Sequence, residues 1–259
     1  MLTLLLGYAL AILIGVSLGL IGGGGSILAA PVLIYVMGVP SKSALAMTLV
    51  IVGVASLVGM IPHWRNGHVN LKTVALFSPS AMLGAYVGAR IAVLPTVNPT
   101  LQLAVFVVMM VLASVSMIRK STPAVGEHPH AYGGWWAIAL EGLGVGLLTG
   151  FVGIGGGFLV IPALVLLGGT PMKEAIGTSL VILALKAITG FAGYLGHVPI
   201  QWGLLLGFTG AATIGILLGA YLNRFIPAKH LEKGFGYFVL AVAAFIIMKE
   251  FTPLLGVTP

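Results

Sequence analysis

Charged residues and cysteine are what this sequence most conspicuously lacks. Charged side chains make up 7% of the 259 residues and hydrophobic ones 59%, whereas about 25% of the residues in a soluble domain are charged. Apolar runs of bilayer length recur along the whole chain, which argues against a soluble domain and indicates an integral membrane protein. The absence of cysteine excludes disulfides, thiolate metal sites and cysteine nucleophiles.

Motifs typical of enzymes and nucleotide-driven pumps are also missing. No G-x-x-x-x-G-K-[ST] phosphate loop occurs, and the glycine-rich stretches lack the last glycine of the dinucleotide-binding fingerprint. Ser26 has no paired base or elbow that would make it a protease nucleophile. His128 and His130 have no partner at metal-ligand spacing. We therefore expect no enzyme activity, no cofactor and no metal site.

Nucleic-acid binding is not the expected explanation of the basic balance. The net charge is +7, and in a membrane protein lysine and arginine gather in cytoplasmic loops. The basic residues therefore carry information on topology.

The two halves of the chain repeat at an offset of 131 positions. The matches include glycines, prolines and lysines in order, among them Gly15/Gly146, Gly19/Gly150, Pro31/Pro162, Pro40/Pro171, Lys42/Lys173 and Thr48/Ser179. The segment Gly-His-Val at 67–69 matches the one at 196–198 after a two-residue slip. We expect a first repeat over residues 1–118, a cytoplasmic linker over 119–134 and a second repeat over 135–259, in one transmembrane domain.

Each repeat contains a cluster of glycines in an apolar stretch. We call Gly22–Gly25 the first knot and Gly153–Gly157 the second knot. As one helix, residues 2–38 would be about 55 Å long, against a hydrocarbon core of about 30 Å. Each glycine lowers helix propensity by about 1 kcal/mol, so the chain is expected to break and turn back at each knot.

The sequence therefore predicts an all-α membrane protein of two inverted repeats, each a Gly-broken helix hairpin plus three transmembrane helices. The apolar segments fall at about 2–21, 26–38, 43–62, 72–93, 100–118, 135–152, 157–168, 174–195, 200–222 and 233–250.

The distribution of lysine and arginine favours this inverted arrangement. With a returning hairpin in each half, eight basic residues lie on the side of the central linker and three on the other; single crossings would give five against six. The positive-inside rule selects the first arrangement. It places the linker in the cytoplasm and both termini outside a bacterial or archaeal cytoplasmic membrane.

The knots are candidates for a substrate site. Unwound backbone at membrane depth is tolerated where it is covered by protein or lines a cavity, and glycine turns that open helices present free N–H groups to anions. Broken helices that meet across inverted repeats build the sites of many secondary transporters. We expect a substrate-binding set of Gly23, Gly24, Gly25, Ser26, Thr48, Gly155, Gly156, Gly157, Thr178, Ser179 and Lys186.

Close helix packing is the alternative role for glycine. For the small-xxx-small pairs Gly15/Gly19, Gly84/Gly88, Gly146/Gly150 and Gly215/Gly219 we expect packing rather than binding.

Lys186 and Glu141 lie well away from the ends of their apolar segments, and charged residues inside a membrane are functional candidates. Lys186 lies about twelve residues into a span and is expected to pair with an anion, although snorkelling or a structural ion pair stays open. Glu141 is a weaker candidate for proton relay, for pairing with Lys186, or for the membrane interface. His63, Arg65 and His68 are expected mainly at the interface, with a gating role as the alternative.

Taken together, the doubled glycine turn ending in proline, the two Gly-His-Val segments and the eight-span arrangement resemble the sulfite exporter TauE/SafE family of permeases. The resemblance covers essentially the whole chain. It implies transport of sulfur-containing anions such as sulfite or organosulfonates. More distant relatives that take up thiosulfate rely on cysteines, and their mechanism is not available to this chain, which has none.

We therefore expect a secondary transporter that works by alternating access, driven by a coupling ion, H+ or Na+. Its partners are a small anion and the lipid bilayer, and a homo-oligomer is left open. An anion channel, a carrier of a non-sulfur organic anion, and a scaffold subunit are the alternatives.

Overall fold

The computed structural model describes residues 2–119, 134–153, 157–167, 170–226 and 228–250. Within these ranges every regular element is helical. Most of the linker, residues 120–133, and Gly155 and Gly156 of the second knot lie outside the described residues.

The first half contains five helical stretches. Helix α1 spans Leu2–Ile21, followed by a 3-10 turn Gly22–Leu28, a short α2 at Ala29–Pro31 and a π turn Val32–Val36. We call Gly22–Val36 the first returning segment. Three longer helices follow, which are α3 Ser41–Arg65, α4 Leu71–Ala92 and α5 Pro99–Arg119.

The second half repeats this order. Helix α6 spans Gly134–Val152, and the second returning segment consists of α7 Gly157–Pro162 and a π turn Ala163–Leu167. The remaining helices are α8 Met172–Tyr194, α9 Trp202–Asn223 and α10 Ala228–Glu250. The ten predicted apolar segments are confirmed as helical, and α10 begins about five residues earlier than its hydropathy indicated.

Length and composition make this an integral membrane protein. Five described helices are long and apolar enough to cross a membrane, namely Thr3–Ile21, Ser41–Arg65, Leu71–Ala92, Met172–Tyr194 and Trp202–Asn223. Shorter apolar helices include Pro99–Leu112, Trp136–Val152 and Gly236–Met248. The predicted all-α membrane class is thereby confirmed.

Both long apolar stretches break at the glycine that opens their knot. Gly22 has φ of +67° and Gly153 has φ of +72°, a backbone region that glycine enters without the steric cost other residues bear. After the first break the chain runs back along α1, because Met37 contacts the backbone at Gly7. The predicted break and return are therefore present in the first half.

The helix contacts are preserved when the two halves are exchanged. Helix α1 packs on α9 as α6 packs on α4, and α3 packs on α9 as α8 packs on α4. The pairs α3–α8 and α5–α10 join equivalent helices, and the two returning segments meet each other. Each half therefore places its first helix on the fourth helix of the other half.

Glycine permits the closest of these contacts. A Cβ at Gly15 would overlap the carbonyl oxygen of Ala212, and one at Gly146 would overlap that of Ala81. The same kind of overlap with the backbone of the partner helix occurs at Gly19, Gly84, Gly88, Gly150, Gly215 and Gly219. The predicted packing role of these small-xxx-small pairs is confirmed.

Candidate functional site

The two knots touch each other inside the protein. A Cβ built on Gly23 would overlap the Cα of Gly157, and one built on Gly157 would overlap the backbone of Gly23. Both glycines are buried. Backbone from the two halves therefore meets without an intervening side chain, and in this conformation an anion has no room between these two residues.

Buried hydroxyl groups fasten the first knot to α8. The Gly23 N–H donates to Ser179 Oγ at 3.3 Å, and Ser179 Oγ donates to the Ile176 carbonyl at 2.8 Å. Ser26 Oγ donates to the Gly23 carbonyl at 2.7 Å. Both serines have no exposed surface. Each hydroxyl proton is thus used within the protein, and an anion that bound here would displace one of these bonds.

Lys186 brings the one fully buried cation of the described residues to this region. Its side chain is 1% exposed, and its ammonium donates to Thr149 Oγ1 at 3.1 Å. Leu183, one turn earlier on α8, lies against Gly23. Lys186 is therefore about one helical turn along α8 from the residue that packs on the first knot.

The end of α6 provides a suitable environment for this charge. Thr149 lies in the last turn of α6 and donates in turn to the Gly146 carbonyl at 3.1 Å. The carboxyl end of a helix carries a partial negative charge that favours a cation. An ammonium has three donors, and within the described part of the chain Thr149 is the acceptor for one of them. Lys186 therefore has donor capacity for an anion.

The last carbonyls of α6 are capped by side chains. Tyr194 Oη donates to the carbonyls of Gly150 and Phe151 at 3.1 Å and 3.2 Å. Gln102 Nε2 donates to the Phe151 carbonyl at 2.8 Å. Such partners satisfy the carbonyls that a helix end leaves without an intrahelical donor.

The end of α1 is capped by different side chains. Asn223 Nδ2 donates to the Leu20 carbonyl, and His63 lies against the backbone of Gly19. At the repeat offset Gly19 and Leu20 match Gly150 and Phe151, and His63 matches Tyr194. One capping position is therefore equivalent in the two halves, whereas the second cap comes from α9 at the α1 end and from α5 at the α6 end.

Some of the predicted site residues point elsewhere. Thr48 Oγ1 donates to the Ala44 carbonyl of its own helix at 2.9 Å. Thr178 Oγ1 accepts from the Asn70 N–H at 2.9 Å and so supports the connection between α3 and α4. Glu141 forms no ion pair within the described residues, and its Oε1 is buried without a hydrogen-bond partner. The alternative in which Glu141 pairs with Lys186 is therefore not found in this conformation.

One expectation from the sequence is wrong and four residues were missed. His63 is 3% exposed and is not an interfacial residue, because α1 and α8 cover it, whereas its neighbour Arg65 is exposed. The missed residues, all polar side chains at the helix ends, are Gln102, Thr149, Tyr194 and Asn223. Tyr194 could have been found from the repeat offset, because it matches His63. A comparison restricted to identical residue types does not detect this pair.

The polar groups near the knots suit a small anion better than covalent chemistry. They supply one ammonium, hydroxyl groups and glycine backbone, and the described residues contain no cluster of three or more His, Asp or Glu side chains that could hold a metal ion. Donors of this kind bind and release an anion without bond making.

Comparison with known proteins gives similarity over nearly the full length. A probable membrane transporter protein of Xylella fastidiosa (strain 9a5c) is 33% identical, with 94% of this chain and 95% of the relative covered. YunE, a probable membrane transporter protein of Bacillus subtilis (strain 168), is 27% identical with 85% and 88% covered. A probable membrane transporter protein of Methanocaldococcus jannaschii is 24% identical with 86% and 89% covered. No solved structure gives a significant match.

The sequence profile of the sulfite exporter TauE/SafE family matches residues 7–246. This range includes both knots, the whole of α2 to α9 and most of α1 and α10. Because the profile spans almost the entire chain and its relatives are named membrane transporters, the protein belongs to the sulfite exporter TauE/SafE family.

Proposed function

We propose that the protein is a secondary transporter of small sulfur-containing anions, such as sulfite or organosulfonates, with its site beside the two knots. The observation that carries this proposal is the buried Lys186 ammonium, which has a hydroxyl group as its partner among the described residues and no carboxylate. A buried cation is costly unless it is paired, and an anionic substrate supplies the missing charge. Gly23, Gly24, Gly25, Ser26 and Ser179 stay in the proposed site with Lys186.

Several predicted site residues need movement or lie outside the described residues. Gly157 reaches the site by its contact with Gly23, and Gly155 and Gly156 precede it in the chain. Thr48 and Thr178 take part once the hydroxyl groups turn from their present partners. Glu141 remains a proposal for proton relay.

The proposed mechanism is alternating access. The contact between Gly23 and Gly157 closes the site in this conformation, and separation of the two returning segments opens it to one side at a time. The exchange of helix contacts between the halves supports a pseudo-two-fold axis in the membrane, as inverted repeats require. Together with the basic residues, it supports the proposed topology with cytoplasmic linker and external termini in a bacterial or archaeal cytoplasmic membrane.

A binding experiment tests the site and its substrate class. The purified protein is heated with sulfite, sulfoacetate, taurine, thiosulfate, sulfate, acetate or chloride, beside the variants Lys186→Ala and Lys72→Ala. Lys72 is an exposed lysine and controls for the loss of any one positive charge. An anion at about 100 times its Kd stabilises the folded state by about 2.7 kcal/mol.

The expected result is a shift of the unfolding temperature with sulfite or an organosulfonate that Lys72→Ala keeps and Lys186→Ala loses. If acetate shifts the unfolding temperature and none of the sulfur-containing anions does, the substrate is a non-sulfur organic anion. No shift with any anion argues against the site. In proteoliposomes, saturable counterflow distinguishes the transporter from a channel, which gives a conductance far above carrier turnover.

A further inference from the structure

His63 is a buried polar group that the proposed anion site does not use. It lies near the end of α3 with 3% of its surface exposed. Its Nε2 is buried and has no hydrogen-bond partner. Leaving a buried polar atom unpaired costs about 1–3 kcal/mol, so a purely structural side chain at this place would be better replaced by one that makes its bonds.

In the second half of the molecule, the matching position carries a residue that does make its hydrogen bonds. Tyr194 occupies the matching position and donates its hydroxyl to the last carbonyls of α6. His63 lies against the equivalent carboxyl end of α1, at Gly19. A tyrosine thus caps one helix, and a histidine at the other helix end adds a nitrogen that can take up a proton. Histidine is the side chain that ordinarily changes charge near neutral pH.

His63 is also tied to the first knot by packing. Its Cβ lies beside Gly177 of α8, and the preceding residue on α8, Ile176, lies against Gly22. Ser179, which accepts the Gly23 N–H, is one turn further along α8. A charge on His63 therefore acts on the same short part of α8 that fastens the first knot.

A route for protons leads from the connection between α3 and α4. The ring centre of His68 lies 6.5 Å from that of His63, and His68 is half-buried. The backbone of His68 also touches Gly177. Because this distance fits one intervening water or a ring rotation, His68 connects His63 to the surface of the protein.

The charged groups around His63 are few. Among the described residues, α1 carries no charged side chain, and α8 has Lys173 and Glu174 in its first turn. Glu174 accepts from Asn70 Nδ2 at 2.7 Å. Arg224, which follows α9, lies over the Tyr221 ring at 3.7 Å.

None of these groups forms an ion pair with His63 in the described structure. The carboxyl end of α1, which carries a partial negative charge, lies against His63.

We propose that His63 binds the proton that is cotransported with the anion, and that it does so at the first knot. This rests on the proposed anion transport and names its coupling ion. The proton enters through His68 and binds His63 Nε2. The added positive charge raises the affinity of the nearby site for an anion, and the anion raises the affinity for the proton by the same factor. Both leave when the returning segments separate toward the other side.

Proteoliposomes with an internal pH indicator test the proposal, and sulfoacetate is the probe. Both acidic groups of sulfoacetate stay ionised near neutral pH, so that any proton movement belongs to the protein. Counterflow of labelled sulfoacetate is measured in preloaded vesicles, and acidification is measured during net uptake of sulfoacetate into vesicles that initially contain none. The variants are His63→Gln, His63→Tyr, which installs the residue of the other repeat, and the matched control Tyr194→Phe.

The expected result is counterflow with acidification in the wild-type protein. In both His63 variants counterflow continues while the movement of protons with sulfoacetate is lost, and in Tyr194→Phe both continue. The use of two His63 variants guards against the misfolding of one of them, since the tyrosine already fits the equivalent environment at position 194.

The outcomes separate the two proposals. Wild-type counterflow without acidification, or acidification that persists in the His63 variants, overturns the role of His63 and leaves the anion transporter intact. Absence of wild-type counterflow with sulfoacetate overturns organosulfonate transport itself, and the proton proposal with it.

Discussion

At the carboxyl end of α1 the last turn faces His63 and Asn223, whereas at the carboxyl end of α6 it faces Tyr194 and Gln102. Both helices end at a glycine with positive φ. Gly22 lies against Ile176 of α8, and Gly153 lies against its repeat counterpart on α3, Leu45. The backbone frame is thus repeated at the two ends.

The chemistry on that frame is divided between the halves. Lys186 and its partner Thr149 belong to the α6 end, and the matching positions, Ala55 and Leu18, are apolar. The histidine belongs to the α1 end. A duplicated frame therefore carries a buried lysine in one half and a buried histidine in the other, the residues that we propose for the anion and for the proton.

Removal of the cation is expected to have the largest effect. Lys186→Met gives an unbranched apolar side chain one atom shorter and is expected to lower transport at least about 30-fold, because loss of one partner of a buried charge pair costs about 2–5 kcal/mol. The free energy of unfolding should stay the same or rise, since an apolar group replaces a buried ion. Transport of the anion identified by thermal stabilisation and chemical unfolding are measured together.

The reverse substitution sharpens the comparison. Ala55→Lys places a second cation at the equivalent position of the first half, and in a Lys186→Met background it should not restore transport, because Leu18 offers no hydroxyl group there. Restored transport would mean that the two halves are chemically interchangeable. A loss of stability in Lys186→Met would instead identify the lysine as a structural ion.

The contact between the knots is the next most sensitive place. Gly23→Ala forces a methyl group into the backbone of Gly157 and the side chain of Leu183, and overpacking of this kind costs about 1–3 kcal/mol. The control is Gly144→Ala, because no atom lies within 4 Å of its added Cβ; it should gain up to about 1 kcal/mol from helix propensity. Equal stability of the two variants in chemical unfolding would argue against a closed contact.

Loss of the tyrosine cap is expected to have a smaller effect. Tyr194→Phe leaves the Gly150 carbonyl without its side-chain donor, while Phe151 retains Gln102. The expected loss is about 1–2 kcal/mol in the free energy of unfolding. Tyr237→Phe, at an exposed tyrosine, is the control and should be neutral. If both variants unfold alike, the hydroxyl group of Tyr194 does not stabilise the end of α6.

Much of the fold could be predicted from the sequence, because hydropathy and glycine act locally. The apolar segments, the breaks at the knots and the packing glycines all follow from chain length, helix propensity and residue size. The capping roles of Tyr194 and His63, which occupy matching positions of the two halves, could not be predicted from the sequence. Whether a side chain caps a carbonyl depends on which helix end lies opposite it. That juxtaposition exists only after α1, α3, α6 and α8 have packed.

The candidate site could be predicted only in part, because its contacts also depend on how distant helices pack. Lys186 is unusual in any apolar helix, so the sequence alone identified it. Ser179 and Thr48 are equal candidates by repeat position, yet Ser179 bonds to Gly23 across 156 residues and Thr48 bonds within its own helix. Distant backbone partners decide which of two matched hydroxyl groups lies at the knot.

That difference between matched hydroxyl groups gives the smallest predicted effect. Ser179→Ala leaves the buried Gly23 N–H without an acceptor and should lower the free energy of unfolding by about 1–2 kcal/mol. Thr48→Val removes a bond to a carbonyl that already has its helical partner, so its loss should be about 1 kcal/mol smaller. Chemical unfolding of the two variants beside the wild type measures this difference. If Thr48→Val lowers the free energy of unfolding as much as Ser179→Ala does, Thr48 holds the second knot to α3 as Ser179 holds the first knot to α8. The chemical difference between the halves is then confined to Lys186 and His63.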